Sequence, residues 1–286
     1  MDSIVPVYSI AKTYSAAAAL LSFDQQDPIG RYLNPIFPAL GLLTVRDLLM
    51  HRSGLNDYEG WDDYRAAVRA HEDPWPIDEI LARAELHTPG AFRYSNIGYL
   101  LIRRALEHHH GKPYFQVLND LVLSPLDIDA APFATRADWS VCTHPSIGDE
   151  LRRYHPGWVY TGTFAARVGD AARGIALLMS GQLGENLAAT MRDTLPVDVP
   201  GHPMAPAGYG LGLMTSGLPA SLVGHGGGGP GFSLFAAATA DGQRWHGAVS
   251  VGEGEDLQLI RSCIDALSQD TGTPETNRPQ RRPHYS

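Results

Sequence analysis

The hydrophobic and polar positions divide this chain into a helix-rich first part and a strand-rich second part. Residues 9–21 are almost wholly apolar and rich in alanine. This pattern predicts a buried helix, because alanine favours helix and no polar face remains for solvent. Apolar residues at helical spacing predict further helices over 44–51, 77–86, 97–109, 115–123, 165–180 and 186–194. Residues 124–160 carry many prolines and turn-forming residues and are predicted to be mostly loop.

From about residue 200 the pattern changes to short apolar runs separated by glycine turns, which predicts strands. The predicted strands are 209–214, 221–223, 232–239 and 245–251, with one more over 4–8 at the N-terminus. Asp241-Gly242 is typical of a hairpin turn, and residues 256–268 of a closing helix. Thr44 and Asp47, at the start of the 44–51 helix, form the pattern of a reciprocal helix cap.

Helices followed by an antiparallel sheet and a final helix are typical of an α+β fold. We predict a single domain over residues 1–270. Its helical part spans about residues 9–200, and its sheet part combines residues 1–8 with residues 201–270. Residues 271–286 are polar, contain three prolines and are predicted to be a disordered tail.

Composition narrows the class of protein. The chain has 286 residues, of which 44% are hydrophobic and 19% charged, and this is a globular composition. A formal net charge of −9 argues against a nucleic-acid partner, because nucleic-acid binding needs a basic face. The sequence shows neither a positively charged leader nor an apolar run of membrane-spanning length, so we predict a cytoplasmic protein without a membrane partner. Cys142 and Cys263 are predicted to be reduced and packed.

Ser9 and Lys12, at the start of the buried helix, are the first candidates for chemistry. Residues three apart share a helix face, so the Lys12 ammonium can reach the Ser9 hydroxyl. A desolvated lysine loses its proton more readily and can activate a neighbouring hydroxyl as a nucleophile. The alternative is a helix-capping serine beside a lysine that extends to solvent.

A second polar cluster, Tyr94-Ser95-Asn96, occupies the turn before the helix at 97–109. The Tyr94 phenol can relay a proton if a nearby ammonium lowers its pKa. The Asn96 amide can hydrogen-bond a substrate carbonyl or the lysine. The alternative is that these residues only form the turn and cap the helix.

A third cluster is the glycine run that follows His225. Residues 224–229 match the GxGxxG pattern of dinucleotide-binding loops, but Pro230 and an apolar strand follow them instead of a helix, and no acidic residue stands at the required spacing. We interpret the run as a sheet edge without side chains, against which the backbone of a substrate can lie. His225 would present a hydrogen-bond donor or a charge at the cleft. An amide of this edge and the amide of Ser9 could form an oxyanion hole.

The three clusters, in this order, resemble the serine β-lactamase and penicillin-binding-protein superfamily, whose motifs are S-x-x-K, Y-x-N and a basic residue followed by glycines. Residues 94–96 and 225–227 resemble its class C β-lactamase branch, above all the esterase, DD-peptidase and acyltransferase relatives in which histidine replaces the third-motif lysine. Residues 44–55 and 209–212 resemble further stretches of this branch. The resemblance runs from about residue 5 to residue 268.

This resemblance implies a β-lactamase-like fold, with a helical subdomain and an antiparallel sheet flanked by helices. Ser9 would be the nucleophile that becomes acylated, and Lys12 and Tyr94 would share the work of general base. Four residues would orient or bind the substrate: Asn96, His225, Gly226 and Gly227. The amides of Ser9 and Gly228 would hold the oxyanion.

The implied function is transfer of an acyl group from an ester or amide donor to water or to an amine or alcohol acceptor. That function describes a cytoplasmic esterase or amidase, or a biosynthetic transacylase. Two alternatives stay open: a class C β-lactamase or DD-peptidase proper, and a non-catalytic binding protein on the same fold. Neither a cofactor nor a metal is implied.

The N-terminus departs from the pattern of this branch. Only eight residues precede Ser9, whereas the branch normally has a longer segment that supplies two strands. Either the sequence lacks that segment, or the sheet is smaller and the cleft more open, or a partner covers the exposed sheet edge and an oligomer forms there. The short segment fits a cytoplasmic enzyme better than a periplasmic antibiotic-hydrolysing one.

Two further polar clusters are interpreted as structural. The three histidines at 108–110 point about 100° apart on a helix and cannot share one metal ion, so we interpret them as cations at a helix C-terminus. Glu59, Asp62 and Asp63 are interpreted as a solvated acidic loop rather than a cation site.

Overall fold

The computed structural model describes residues 3–33, 39–252 and 256–268; the predicted tail at 271–286 lies outside them. Within these ranges the α-helices are α1 (Ala11–Ser22), α2 (Val45–Leu49), α3 (Asp62–Arg69), α4 (Ile77–Ala82), α5 (Asn96–His110), α6 (Tyr114–Leu118), α7 (Asp149–Arg153), α8 (Val168–Met179), α9 (Glu185–Met191) and α10 (Leu257–Ser268). A π-helical segment, Asn119–Leu123, continues α6. A short 3-10 turn, Tyr8–Ile10, leads directly into α1.

The strands form two antiparallel sheets. They are β1 (Ile4–Pro6), β2 (Ala130–Pro132), β3 (Phe164–Arg167), β4 (Leu195–Pro196), β5 (Ala207–Tyr209), β6 (Met214–Ser216), β7 (Leu222–Gly229), β8 (Phe232–Thr239) and β9 (Trp245–Val251). The smaller sheet has the strand order β1-β3-β2, and the larger sheet runs in sequence order from β4 to β9. This is the predicted α+β architecture, a helical part beside an antiparallel sheet packed against helices.

Two predicted elements are divided in the structure. The predicted helix at 165–180 begins as β3, which pairs with β1 and β2, and the chain is helical only from Val168. The helix preference of alanine is overridden here because strands on both sides satisfy the backbone of Ala165 and Ala166. The predicted strand at 209–214 is instead a hairpin of β5 and β6. Gly212 turns the chain at a φ of 80°, which glycine adopts without strain.

The other elements agree more closely with the prediction. Strands β8 and β9 have the predicted bounds. Thr44 Oγ1 accepts a hydrogen bond from the Asp47 amide at 3.0 Å and donates one to the Asp47 carboxylate, so the predicted cap of α2 is present. Residues 124–160 hold more structure than predicted, including β2 and α7. Cys142 and Cys263 are buried free thiols, as predicted.

Helix α1 lies at the centre of the molecule. Residues 11–19 are all buried, which confirms the predicted buried helix. The helix contacts α5, α6 and α9, and its alanines allow close packing on several sides. Thr13 Oγ1 donates a hydrogen bond of 2.7 Å to the Gly212 carbonyl, which ties α1 to the β5–β6 hairpin. The helix that begins just after Ser9 is therefore held by both parts of the molecule.

The larger sheet is covered by helices on both faces. Alternate residues of β8 belong to two different apolar clusters, with Leu234 and Ala236 in one and Phe235 and Ala237 in the other. Because alternate strand residues point to opposite faces, the two clusters lie on opposite sides of the sheet. Helix α8 packs against β8 in the first cluster, and α10 packs against it in the second. Nothing in the described part of the chain pairs with the outer edge of β9, so the predicted oligomer across that edge stays a prediction.

Strand β7 has one edge that is only partly paired. Strand β6 pairs with Leu222–Gly224, whereas β8 pairs with the whole of β7. A Cβ atom on Gly227 would lie 2.5 Å from the Val7 carbonyl oxygen, and one on Gly229 would lie 2.5 Å from the Tyr8 ring. The glycines therefore allow the turn that carries Ser9 to approach the strand closely.

Candidate active site

A cavity of about 800 Å³ lies between the helical part and the glycine-rich half of β7. Seven of the predicted site residues line it: Ser9, Tyr94, Asn96, His225, Gly226, Gly227 and Gly228. Lys12, the eighth, is buried and contacts Ser9. The structure thus brings together residues that are more than 200 positions apart in the chain.

The position of Ser9 is set by the residue before it. Tyr8 has a φ of 47°, in the left-handed region that favours glycine, and such a conformation costs about 1–3 kcal/mol in a non-glycine residue. The Tyr8 hydroxyl donates a hydrogen bond of 2.7 Å to the Pro230 carbonyl, which holds this turn against the end of β7. Helix α1 begins at Ala11 and has no side-chain cap, so the alternative of Ser9 as a capping serine is wrong.

Lys12 reaches the Ser9 hydroxyl from the first turn of α1. Its Nζ donates a hydrogen bond of 2.7 Å to Ser9 Oγ, and the side chain is buried, so the alternative of a lysine extending to solvent is also wrong. Burial lowers the pKa of Lys12 to about 8, although the carboxylates of Glu59 and Asp57 act in the opposite direction. A lysine with this pKa is about half neutral at pH 8 and can then accept a proton.

The Tyr94 phenol contacts Ser9 as well. The Ser9 hydroxyl acts to lower the pKa of Tyr94, and the Tyr94 ring centroid lies 5.1 Å from Lys12 Nζ. The pKa of Tyr94 is raised well above its ordinary value, mainly because the phenol is desolvated and to a smaller extent because Tyr209 is close to it. The phenol is therefore protonated at neutral pH and is available as a hydrogen-bond donor.

His225 is buried and neutral. Its Nδ1 lies 2.6 Å from the Gly226 carbonyl oxygen, which can only accept, so Nδ1 carries the proton and Nε2 accepts from the Tyr209 hydroxyl at 3.0 Å. Burial, and then the positive charge of Lys12, lower its pKa to about 3. The expectation that His225 presents a charge is therefore wrong. Its ring centroid is 6.4 Å from that of Tyr94, a ring contact without a hydrogen bond.

Asn96 is bonded to acidic residues rather than to the lysine. Its Nδ2 donates to both carboxylate oxygens of Asp57, at 3.2 and 3.1 Å, and its side chain also bonds Glu59. Burial raises the pKa of each carboxyl group; Asp57 raises that of Glu59 further, whereas Lys12 opposes the rise for both. No hydrogen bond joins Asn96 to Lys12 in the described part of the chain. The two carboxyl groups therefore form an acidic wall beside Ser9 and Lys12.

Sequence reasoning missed this acidic wall. Glu59 is exposed, as a solvated acidic loop predicts, and it also lines the cavity. Asp62 does stay in solvent, with 98% of its side chain exposed. Asp57 caps the 3-10 turn Tyr58–Gly60 by accepting a hydrogen bond from the Glu59 amide, and its carboxylate also accepts from Asn96. No spacing in the sequence indicates that this turn faces the cavity.

The predicted oxyanion donors belong to two elements that meet at the cavity. Ser9 lies in the 3-10 turn, and Gly228 lies in the part of β7 that β6 leaves unpaired. Both residues line the same space. The oxyanion hole made by their amides stays a prediction.

Two further observations bear on cofactors and membranes. Among residues 3–33, 39–252 and 256–268 there is no group of three or more histidine, cysteine, aspartate or glutamate side chains placed to hold a metal ion. Of the three histidines at 108–110, in the last turn of α5, His110 contacts a serine: its Nε2 lies 2.8 Å from Ser22 Oγ. None of the described helices is both long and apolar enough to cross a membrane.

This arrangement, a serine beside a buried lysine at the junction of a helical part and an antiparallel sheet, defines a serine hydrolase of β-lactamase-like fold. The chain belongs to the Beta-lactamase family, whose family model matches residues 1–260.

Similar proteins are penicillin-binding proteins and amidohydrolases. The chain is 30% identical to Penicillin-binding protein 4* of Bacillus subtilis (strain 168) over 134 residues, which are 43% of this chain and 29% of that protein. The chain spans less than two thirds of the length of the curated relatives it matches. A D-stereospecific amidohydrolase from Streptomyces sp. superposes with a TM-score of 0.76 at 26% identity, covering 96% of this chain and 88% of the other. The D-amino acid amidase from Ochrobactrum anthropi SV3 gives a TM-score of 0.71 at 21% identity, and the match covers 93% of this chain and 84% of the other.

Proposed function

We propose that this protein hydrolyses small amides or esters through an acyl-enzyme on Ser9. The observation that carries the proposal is the 2.7 Å hydrogen bond from a buried lysine to the Ser9 hydroxyl. The lysine has no structural need to be there, since its burial is costly and its main polar contact is the serine. A nucleophile next to a base is the arrangement that covalent catalysis uses.

In the proposed mechanism, neutral Lys12 takes the proton from Ser9 Oγ as the oxygen attacks the acyl carbon. The amides of Ser9 and Gly228 stabilise the oxyanion. The leaving amine or alkoxide receives a proton from the Tyr94 phenol, and the resulting phenolate takes a proton from the nearby Lys12 ammonium. Water then attacks the acyl-enzyme, gives its proton to Lys12 and releases the acid as Ser9 Oγ is protonated again.

The assignment of Lys12 rather than Tyr94 as the base rests on their pKa values. At pH 8 about half of the Lys12 side chains are neutral, because its pKa is about 8. Burial raises the pKa of Tyr94 well above its ordinary value, so its phenol stays protonated at that pH. Tyr94 fits the role of proton donor to the leaving group.

The charges around the cavity support substrates that carry a free amine. Glu59 lines the cavity together with Ser9, both Glu59 and Asp57 act electrostatically on Lys12, and His225, at the third-motif position, provides no positive charge. An ammonium group near the scissile carbonyl would be attracted to this wall. Amides of amino acids have that group, and two structurally similar proteins are named as acting on D-amino acid amides or with D-stereospecificity. We therefore propose D-amino acid amides and esters as the substrate class.

The test combines intact mass with kinetics. Mixed with p-nitrophenyl acetate, the wild type and the Ser22→Ala control should gain an acetyl group that Ser9→Ala does not gain; Ser22 is at the other end of α1. D-Phenylalanine amide should be hydrolysed at least about 10-fold faster than its N-acetylated form, which lacks the ammonium. Comparison with L-phenylalanine amide tests the proposed preference for the D-amino acid amide. An equal adduct on Ser9→Ala would overturn the assignment of Ser9 as the nucleophile. Equal turnover of D-phenylalanine amide and its N-acetylated form would overturn the proposed substrate class.

A further inference from the structure

His51 lies in the turn after α2 and is buried directly beside Tyr94. Its φ is 55°, in the left-handed region that favours glycine, and histidine adopts this region only uncommonly. A strained, buried histidine beside a reacting tyrosine points to a functional role rather than to simple filling of space.

Three contacts of His51 surround Tyr94. The His51 carbonyl accepts a hydrogen bond of 2.8 Å from the amide of Arg93, the residue before Tyr94. Its Nδ1 accepts one of 3.1 Å from the amide of Ser95, the residue after it. Its ring lies on the Tyr94 ring, with centroids 4.2 Å apart and an interplanar angle of 32°. One residue therefore holds the backbone on both sides of Tyr94 and one face of its ring.

The hydrogen bond to Ser95 also determines the tautomer of His51. The Ser95 amide can only donate, so Nδ1 is unprotonated and the proton of the neutral ring is on Nε2. Nε2 is buried and has no hydrogen-bond partner within residues 3–33, 39–252 and 256–268. The ring is surrounded by Phe92, Tyr99 and Tyr209 at centroid distances of 4.9 to 6.0 Å, so the N–H can face aromatic rings only.

We propose that His51 is a positioning residue that keeps the Tyr94 hydroxyl within hydrogen-bond distance of Ser9. The proposal rests on the proposed function of Ser9. Replacement of the His51 side chain removes the acceptor of the Ser95 amide and the ring beside Tyr94, so that the phenol can pivot away from the serine, whereas the main-chain contact with Arg93 stays. Misplacement of a reacting group by about 1 Å can lower a rate about 10²-fold.

Two substitutions separate the contacts of His51. His51→Phe keeps a ring beside Tyr94 but leaves the Ser95 amide without its acceptor. His51→Asn keeps an acceptor near the place of Nδ1, and asparagine tolerates a positive φ better than other non-glycine residues. For D-phenylalanine amide, whose leaving nitrogen needs the proton of Tyr94, His51→Phe should lower kcat about 10²-fold with KM changed by less than about 3-fold, and His51→Asn should recover at least about 10-fold of that loss.

A double-mutant cycle with Tyr94→Phe tests whether His51 acts through Tyr94. In the Tyr94→Phe background, where the hydroxyl is absent, His51→Phe should lower the remaining hydrolysis of D-phenylalanine amide by less than about 3-fold. An equal loss in both backgrounds would overturn the proposal, since His51 would then act on folding or on another group. If the wild type is not acetylated at Ser9 at all, the proposed function fails instead.

Nitrogen-15 NMR of the histidine side chains gives a measurement that does not depend on activity. The spectrum of the wild type, with His51 assigned by comparison with His51→Asn, should show a neutral ring with its proton on Nε2 between pH 5 and 8. A proton on Nδ1 would overturn the proposal, because the Ser95 amide could not then be held.

Discussion

At the scale of the residue, the charge state of Lys12 results from two opposing effects. Burial favours the neutral amine, whereas Glu59 first and Asp57 second favour the ammonium. The pKa of about 8 is the balance of these effects. Because only the neutral amine can take the proton of Ser9, the proposed rate for a neutral ester should rise between pH 7 and 9, with a midpoint near 8.

Replacement of Glu59 by glutamine should move that midpoint to lower pH. The substitution removes a negative charge that stabilises the Lys12 ammonium, so the pKa of Lys12 falls and more of the amine is neutral at pH 7. We expect acylation by p-nitrophenyl acetate at pH 7 to become about 2- to 5-fold faster, measured as the burst of p-nitrophenol across pH 6–9.

Asp62→Asn is the matched control, since it removes an equal charge three positions along the chain from a side chain that is 98% exposed. Its profile should coincide with that of the wild type. A midpoint of Glu59→Gln that stays near 8 or moves to higher pH would mean that another group controls the profile.

The contrast between Lys12 and Glu59 shows what the sequence could predict about the site. The contact of Lys12 with Ser9 depends on helix spacing, which is local, and it was predicted. The position of Glu59 depends on which loop faces the cavity, and the neutral state of His225 depends on burial and on Tyr209. These features are set by residues distant in sequence, and no spacing within one segment indicates them.

At the scale of the element, the site depends on how closely the 3-10 turn Tyr8–Ile10 approaches β7. The glycines of β7 are not equivalent in this contact. A Cβ atom on Gly227 would lie 2.5 Å from the Val7 carbonyl oxygen and 3.4 Å from Ile10, whereas one on Gly226 would meet nothing closer than 3.9 Å. The two positions alternate in direction because successive strand residues point to opposite faces.

Gly227→Ala should therefore destabilise the protein, and Gly226→Ala should not. The methyl group on Gly227 forces the turn and the strand apart, and overpacking of this kind costs about 1–3 kcal/mol. Urea unfolding should show a loss of that size for Gly227→Ala and a change within about 0.5 kcal/mol for Gly226→Ala. Since the displaced turn carries Ser9, acetylation should also slow in Gly227→Ala. Equal stability of the two variants would mean that the turn adjusts freely.

The elements themselves show the same division between local and distant causes. The cap of α2 and the bounds of β8 and β9 follow from local pattern and were predicted. The strand β3 was predicted as helix because its alanines favour helix, and its pairing with β1 depends on a segment about 160 residues earlier. Local preference fails where distant strands compete for the same backbone groups.

At the scale of the whole molecule, the helical part and the sheet part share one hydrophobic core. A single apolar cluster includes Tyr14 and Leu48 from the helices together with Val223 and Ala236 from the sheet. The second cluster, under α10, is joined to the first through β8, which is buried on both faces. The predicted single domain over 1–270 stays a prediction, and this shared core is the reason to expect cooperative unfolding.

The two free cysteines allow this cooperativity to be measured, because one lies in each part. Cys142 is buried in the helical part, and Cys263 is on the buried face of α10. Burial raises the pKa of each thiol to about 12, so neither should react with a disulfide reagent in the folded state. In urea, pulse labelling of Cys142→Ser reports only Cys263, and labelling of Cys263→Ser reports only Cys142. If the parts unfold together, the labelling midpoint of each variant should match its own midpoint by circular dichroism within about 0.3 M urea. Labelling of Cys263 well below the midpoint of circular dichroism would instead show that α10 and the sheet open separately while the helical part stays folded.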